Sequence, residues 1–360
     1  MIFRSDNIIK RAMEPFPSFP ATGIGSFPHK DELDAFNLIL EGFPVIPFWP
    51  QLPQRSFLEG MVLQYSQGFP GLRWNEREQR VWVDTGEGFD HAVSGFYETL
   101  EAGDLEPFKI TEIFAKGLRI LDILRSRSDS GRMRYLKGQV TGPVTFGLSL
   151  TDQDRKPIFY EPTLRDILIQ HLSAKARWME RRFRELFPGT ETMIFFDEPS
   201  LSAFGSAFSS ISREDVILSL NACFGAVKGL KGVHCCGNTD WGVLLATNLD
   251  ILSFDAYGYA EALSLYPKQL RAFLERGGIL AWGIVPTDGA IAREDAPSLV
   301  ERLHQGRRTL SEKGIDPVLL ERAIVTPSCG AASLPVPLAD RVYRITAEVS
   351  TRLREQQPLK

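Results

Sequence analysis

Eight apolar runs recur along the chain, each ending abruptly in Gly, Pro, Ser or Asp or, in two cases, at cysteine. They are ATGIGSFP, ending near Ser26; FPVIPFWP, near Trp49; YLKGQVTGP, near Thr141; TMIFFDEP, near Asp197; GVHCCGN, near Cys236; ILSFDAY, near Asp255; GILAWGIVP, near Val285; and AIVTPSCG, near Cys329. Between them apolar positions repeat at helical spacing over Ile110–Arg127, Leu164–Phe187, Ser212–Val227, Leu263–Arg276, Ala296–Lys313 and Leu338–Leu353. Near-continuous apolar strands alternating with amphipathic helices predict an α/β fold with parallel strands covered by helices. Eight such units predict a (β/α)8 TIM barrel, which typically takes about 250 residues. A doubly wound open sheet is the other arrangement the alternation allows. We expect a single domain over 1–360, with the barrel at about 20–355 and a long inserted loop after strand two at about 50–106. Within that loop, LRWNEREQRVWVDTG reads as a short hairpin.

Composition narrows the classes. At 360 residues the chain can bury a large core. A formal charge of −4 without a basic run argues against nucleic acid or an anionic membrane as partner. No apolar run approaches the roughly 18 residues of a membrane span. The opening MIFRSDNIIKRAMEPFPSFP lacks the apolar core and cleavage site of a signal peptide. Four cysteines, two of them adjacent, do not form a disulfide framework; they fit a reducing cytoplasm and metal chemistry.

The chemistry gathers at strand ends. His234 and Cys236 are two apart, so on a strand both point to one side, while Cys235 points to the other. Cys329 ends a second run. One imidazole and two thiolates form a zinc ligand set, and three ligands leave a fourth position open for chemistry. The plainer alternative is a hydrogen-bonded core histidine and cysteines packed as small hydrophobes; Cys235 and Cys223 read that way. Two thiolates cancel the charge of Zn2+, so such a centre activates a thiol for S-alkylation better than water for hydrolysis.

The strings IGSFP (Ile24–Pro28), KGQVTGPVT (Lys137–Thr145), DEPS (Asp197–Ser200), HCC (His234–Cys236) and PSCG (Pro327–Gly330) resemble the catalytic half of cobalamin-independent methionine synthase. That family shares a barrel superfamily with uroporphyrinogen decarboxylase. The resemblance spans roughly residues 20–350. It implies zinc held by His234, Cys236 and Cys329, with Asp255 where the family has a glutamate ligand. It implies that Gly25 and Ser26 hold the carboxylate of homocysteine and that Asp197 holds its ammonium. Physically, backbone N–H and hydroxyl groups suit an anion and a carboxylate suits a cation.

Two further positions depart from the family. Where it carries a second ammonium-binding glutamate, MVLQY (Met61–Tyr65) offers Gln64, with Glu59 nearby. After strand seven, where the folate-using enzymes carry a proton-delivering histidine, WGIVPTDGA offers Asp288. An amine leaving group needs a proton; a corrinoid leaving as Co(I) does not. The chain also lacks the family's duplicated N-terminal barrel. The expected function is therefore a zinc-dependent methyltransferase that makes methionine from homocysteine. Its donor would be a methylcorrinoid, free or on a protein, or 5-methyltetrahydrofolate. Three alternatives stand beside it: a metal-free decarboxylase, whose propionate-holding arginines would be Arg4 and Arg11; methylation of another small thiol; and a zinc-bearing partner without catalysis.

Overall fold

The computed structural model describes residues 16–127, 130–205 and 210–356. Six strands form one curled, all-parallel sheet in sequence order: β3 (Tyr135–Thr141), β5 (Glu191–Asp197), β6 (Leu230–Cys235), β7 (Ile251–Phe254), β8 (Ile279–Val285) and β9 (Ala323–Pro327). Apart from Glu191 and Asp197 at the ends of β5 and Leu230 and Lys231 at the start of β6, their residues are all buried. Helices cover the outer face, and this is why the runs read as continuously apolar.

The first two expected strands are not strands. ATGIGSFP and FPVIPFWP make only isolated parallel bridges: Ala21 to Val325 on β9, Phe48 to Lys137 on β3, and Ser26 to Gln51 between the two segments. Pro44, Pro47 and Pro50 remove ladder donors from the second segment. The expected eight strands are thus six, with these bridges at the two sheet edges.

The helices are set by local capping. Asp31, Glu161, Ser212, Asp240 and Asp295 each accept a backbone N–H in the first turn of the helix they precede, and Asp295 forms a reciprocal box with Ser298. Four expected helices appear with shifted ends: Pro162–Leu186, Arg213–Gly225, Ala296–Glu312 and Val336–Glu355. The expected helix at 263–276 is interrupted. Ala256–Leu263 precedes Pro267–Glu275, with Pro267 opening the second. Within Ile110–Arg127 only Lys116–Arg119, as a 3-10 turn, and Ile120–Ser126 are helical. There, Phe114 carbonyl accepts from Gln64 and Lys116 N–H donates to Glu59, so other side chains take backbone groups a helix would use.

The residues expected as a loop at 50–106 are structured. β1 (Leu72–Asn75) and β2 (Arg80–Val83) form the expected antiparallel hairpin, β2 pairs in parallel with β4 (Thr151–Asp152), and a helix spans Phe89–Glu101. Among the described residues, no helix is long and apolar enough to cross a membrane.

Candidate metal centre and active site

Register builds the site. Thr141 pairs with Asp197, Asp197 with His234, and His234 with Ser253, so one row crosses the C-terminal ends of β3, β5, β6 and β7. Residues in one row of a parallel sheet face the same side. Cross-ties fix the row: Gly142 N–H donates to Asp197 carbonyl and Glu198 N–H to His234 carbonyl, both at 2.8 Å.

The ligand atoms of His234, Cys236 and Cys329 all lie within 4.8 Å of one another. His234 is buried, and its Nδ1 shares a 3.0 Å hydrogen bond with Ser253 Oγ. Its Nε2 is buried without a partner among the described residues. An orphaned imidazole nitrogen beside two sulfurs, with the other nitrogen held in place, is what a zinc ligand of this type requires. The residues present therefore fit zinc. The two thiols act on each other: the Cys329 thiol beside Cys236 holds Cys236 below the usual thiol range, and Cys236 in turn holds Cys329 above it. Cys235 lies on the opposite side, buried, with its thiol toward Gly237 carbonyl and its pKa pushed to about 12 by burial. Cys223 is buried in the helix Arg213–Gly225.

These donors line a cavity of ≈ 200 Å³ together with Ser26, Gln51, Glu59, Met61, Gln64, Tyr65, Thr141 and Asp197. Asp197 is held above the usual carboxylate range by burial, and its Oδ1 has no partner among the described residues. Gly25, at φ 140°, permits the turn that brings Ser26 to the cavity. A side chain at Gly330 would collide with Ser26 Oγ, so the Ser26 turn and the turn after β9 meet only because position 330 is bare.

Other expected site residues are placed differently. Gln64 lines the cavity, but its amide nitrogen donates to Phe114 carbonyl at 2.8 Å. Both carboxylate oxygens of Glu59 are taken, by Arg55 and by Lys116 N–H. Asp255 is not in the metal-ligating group; its carboxylate accepts Gly258 N–H at 2.7 Å and caps the helix Ala256–Leu263. Asp288 does not line the cavity. It is exposed and accepts Ala290 N–H at 2.8 Å. Arg4 and Arg11 lie outside the described residues.

Several residues here were given no role in advance. Lys137, inside the sheet, donates to Ile24 carbonyl at 2.9 Å and to Gln139 Oε1 at 3.2 Å, and burial lowers its pKa to about 8 against the pull of Asp197. Gln139 in turn donates to Trp49 carbonyl. The signal was visible: Lys and Gln two apart in an otherwise apolar strand. Glu198 is fully buried, accepts the N–H groups of Val144 and Thr145 at 2.9 and 2.7 Å, and is raised to about 7 by desolvation. It clamps the Gly-Pro turn after β3.

A larger groove of ≈ 490 Å³ runs past Glu106, Lys109, Trp178 and Arg181. Its charges answer one another, as in Arg181 with Glu106 at 3.3 Å, and it holds none of the metal-ligating group.

The fold has solved counterparts. A B12-independent methionine synthase from Shewanella sp. W3-18-1, in complex with selenomethionine, aligns over 94% of this chain and 98% of its own, with TM-score 0.61 and 16% identity. A putative vitamin-B12 independent methionine synthase from Listeria monocytogenes aligns over 95% and 98%, with TM-score 0.56 and 12% identity. A methyltransferase from Methanosarcina mazei aligns over 96% and 97%, with TM-score 0.51 and 14% identity. The chain therefore has the fold of cobalamin-independent methionine synthases and related methyltransferases over nearly its whole length. No family model matches the chain, and no curated protein matches it in sequence.

Proposed function

We propose that this protein is a zinc-dependent methyltransferase that methylates a small thiol, homocysteine, to give methionine. The observation that carries the reading is one imidazole and two thiols within 4.8 Å, sharing a cavity of amino-acid size with an unpartnered carboxylate. A solved counterpart is in complex with selenomethionine, an analogue of the product.

His234, Cys236 and Cys329 would hold zinc; Asp255 caps the helix Ala256–Leu263 instead of joining them. Bound there, zinc would lower the pKa of an incoming thiol toward neutrality. The chain's own residues do the rest. Ser253 fixes the His234 ring, Asp197 takes the ammonium, and the Gly25–Ser26 turn offers N–H and hydroxyl to the carboxylate. Transfer forms a sulfur–carbon bond as the donor–carbon bond breaks in line, which asks chiefly for positioning. Asp288 is exposed and already capped. It is poorly set to protonate an amine leaving group, and this favours a methylcorrinoid over 5-methyltetrahydrofolate as donor.

The test supplies homocysteine with methylcobalamin and with methyltetrahydrofolate in parallel, and measures zinc on the same sample. We expect about one zinc per chain, from the one three-ligand group found among the described residues, and methionine with the corrinoid. Metal-loaded protein that makes no methionine with either donor would sink the reading.

A further inference from the structure

Tyr65 carries a proton that nothing in the protein claims. The residue is buried and lines the same cavity as Asp197, Ser26, His234, Cys236 and Cys329. Its hydroxyl oxygen accepts from Gln51 Nε2 at 2.7 Å. That bond occupies a lone pair and leaves the O–H still to donate. Among the described residues no acceptor receives it, and Asp197, the nearby carboxylate, has an oxygen that is itself without a donor. Tyr65 and Asp197 lie close enough for the carboxylate's charge to act on the phenol.

The belt behind the ring leaves little freedom. Gln51 N–H donates to Gly25 carbonyl at 2.8 Å, and its bridge to Ser26 ties it to the turn on the cavity wall. The Tyr65 backbone carbonyl is held at 2.6 Å by His171 Nε2, beneath a cluster of Phe69, Phe96 and Phe108. Both ends of the tyrosine are fixed before any ligand arrives. A buried unmatched donor and a buried unmatched acceptor in one small cavity each cost stability unless a ligand satisfies them. The occupant that matches both presents an acceptor and a cationic donor within one small group.

We propose that Tyr65 is a substrate-binding residue: its hydroxyl donates to the carboxylate of an α-amino acid thiol whose ammonium is held by Asp197. The inference rests on the methyltransferase reading and deepens it. Tyr65, with the Gly25–Ser26 turn, makes the pocket select the zwitterion over thiols that carry only one of its charges.

The experiment uses zinc-loaded full-length protein and calorimetric binding of three probes, L-homocysteine, 3-aminopropane-1-thiol and 4-mercaptobutanoate. The wild type should bind homocysteine more tightly than the carboxylate-free amine by at least about tenfold, the scale of one hydrogen bond to a charged group. Tyr65→Phe should weaken homocysteine and 4-mercaptobutanoate by about 10- to 100-fold while leaving 3-aminopropane-1-thiol and zinc content unchanged. An equal loss for all three probes would make Tyr65 a packing residue and overturn the inference. So would unchanged homocysteine binding in Tyr65→Phe, or a wild type indifferent to the carboxylate. A wild type that binds none of the probes would overturn the functional reading, and this inference with it.

Discussion

Glu198 lets the electrostatics of the site be tested without substrate or metal. Its carboxyl is fully buried, receives Val144 N–H at 2.9 Å and Thr145 N–H at 2.7 Å, and sits at about 7 because desolvation outweighs those bonds. A carboxyl raised in the folded state contributes stability that is fully present below its unfolded value and is lost as pH rises through its folded value. With an unfolded value of 4.5 and a folded one of about 7, linkage gives a loss of roughly 2–3 kcal/mol between pH 5 and pH 8.

Glu198→Gln removes that titration and keeps the shape. It also turns an NH2 toward one of the two backbone donors, a penalty of about 1–3 kcal/mol. At pH 5 the wild type should therefore be the more stable. By pH 8 that advantage should shrink by roughly 2–3 kcal/mol, close to vanishing or reversing. For 360 residues, an unfolding entropy of about 2.1 cal/mol/K per residue converts this to a melting-temperature change of roughly 3–4 °C. Denaturant unfolding of both proteins at pH 5, 6, 7 and 8 measures it directly. Titrating groups remote from Glu198 are common to both proteins and cancel in the difference, while the adjacent Asp197 contributes only through its coupling to Glu198. A wild-type advantage that stays constant from pH 5 to 8 would refute the reasoning.

Other outcomes follow from the metal-ligating group. Cys236→Ser and Cys329→Ser should lose zinc, read by metal analysis, while Cys235→Ser should keep it, since Cys235 faces away toward Gly237 carbonyl. Ser253→Ala frees the His234 ring and should weaken zinc about 10- to 100-fold with the fold intact, measured by chelator competition. Asp197→Asn should keep zinc yet weaken homocysteine binding by roughly ten- to hundredfold, the scale of a charged hydrogen bond; unchanged binding would remove Asp197 from the ammonium site.

What was legible in the sequence follows a physical line. Strands buried on both faces, such as MIFF and ILAWGIV, announce themselves because nearly every position is apolar. The proline-rich segment ending near Trp49 has the same composition of apolar residues but cannot supply ladder donors, so it makes single bridges. The 110–119 segment has helical spacing, yet Gln64 and Glu59 take its backbone groups, a competition set by residues some fifty positions away. His234, Cys236 and Cys329 were legible because few other uses bring a His-x-Cys pair and a third thiol to strand ends. Asp255 and Asp288 were expected in the site from the family resemblance, at the positions of its glutamate and histidine. Each does follow a strand, but a short carboxylate at a helix start finds its own N–H groups first. Tyr65, Gln51 and Glu198 were given no role, because an unmatched proton or a clamped turn is a property of neighbours brought together by the fold.

The site depends on strand register. Thr141, Asp197, His234 and Ser253 face one another only because β3, β5, β6 and β7 pair in one row. A slip of one residue would turn the imidazole and its hydroxyl partner toward the helices and put Cys235 and Phe254 in their place. The bonds that resist slipping sit at the row itself: Gly142 to Asp197, Glu198 to His234, and the Glu198 carboxylate back to the turn after β3. Lys137 performs the same task from below, holding the Ile24 carbonyl while its charge partly offsets that of Asp197. The buried charges of this pocket therefore serve two ends at once. They lock the register that creates the site, and Asp197 Oδ1, like the His234 Nε2 beside it, has no hydrogen-bond partner among the described residues.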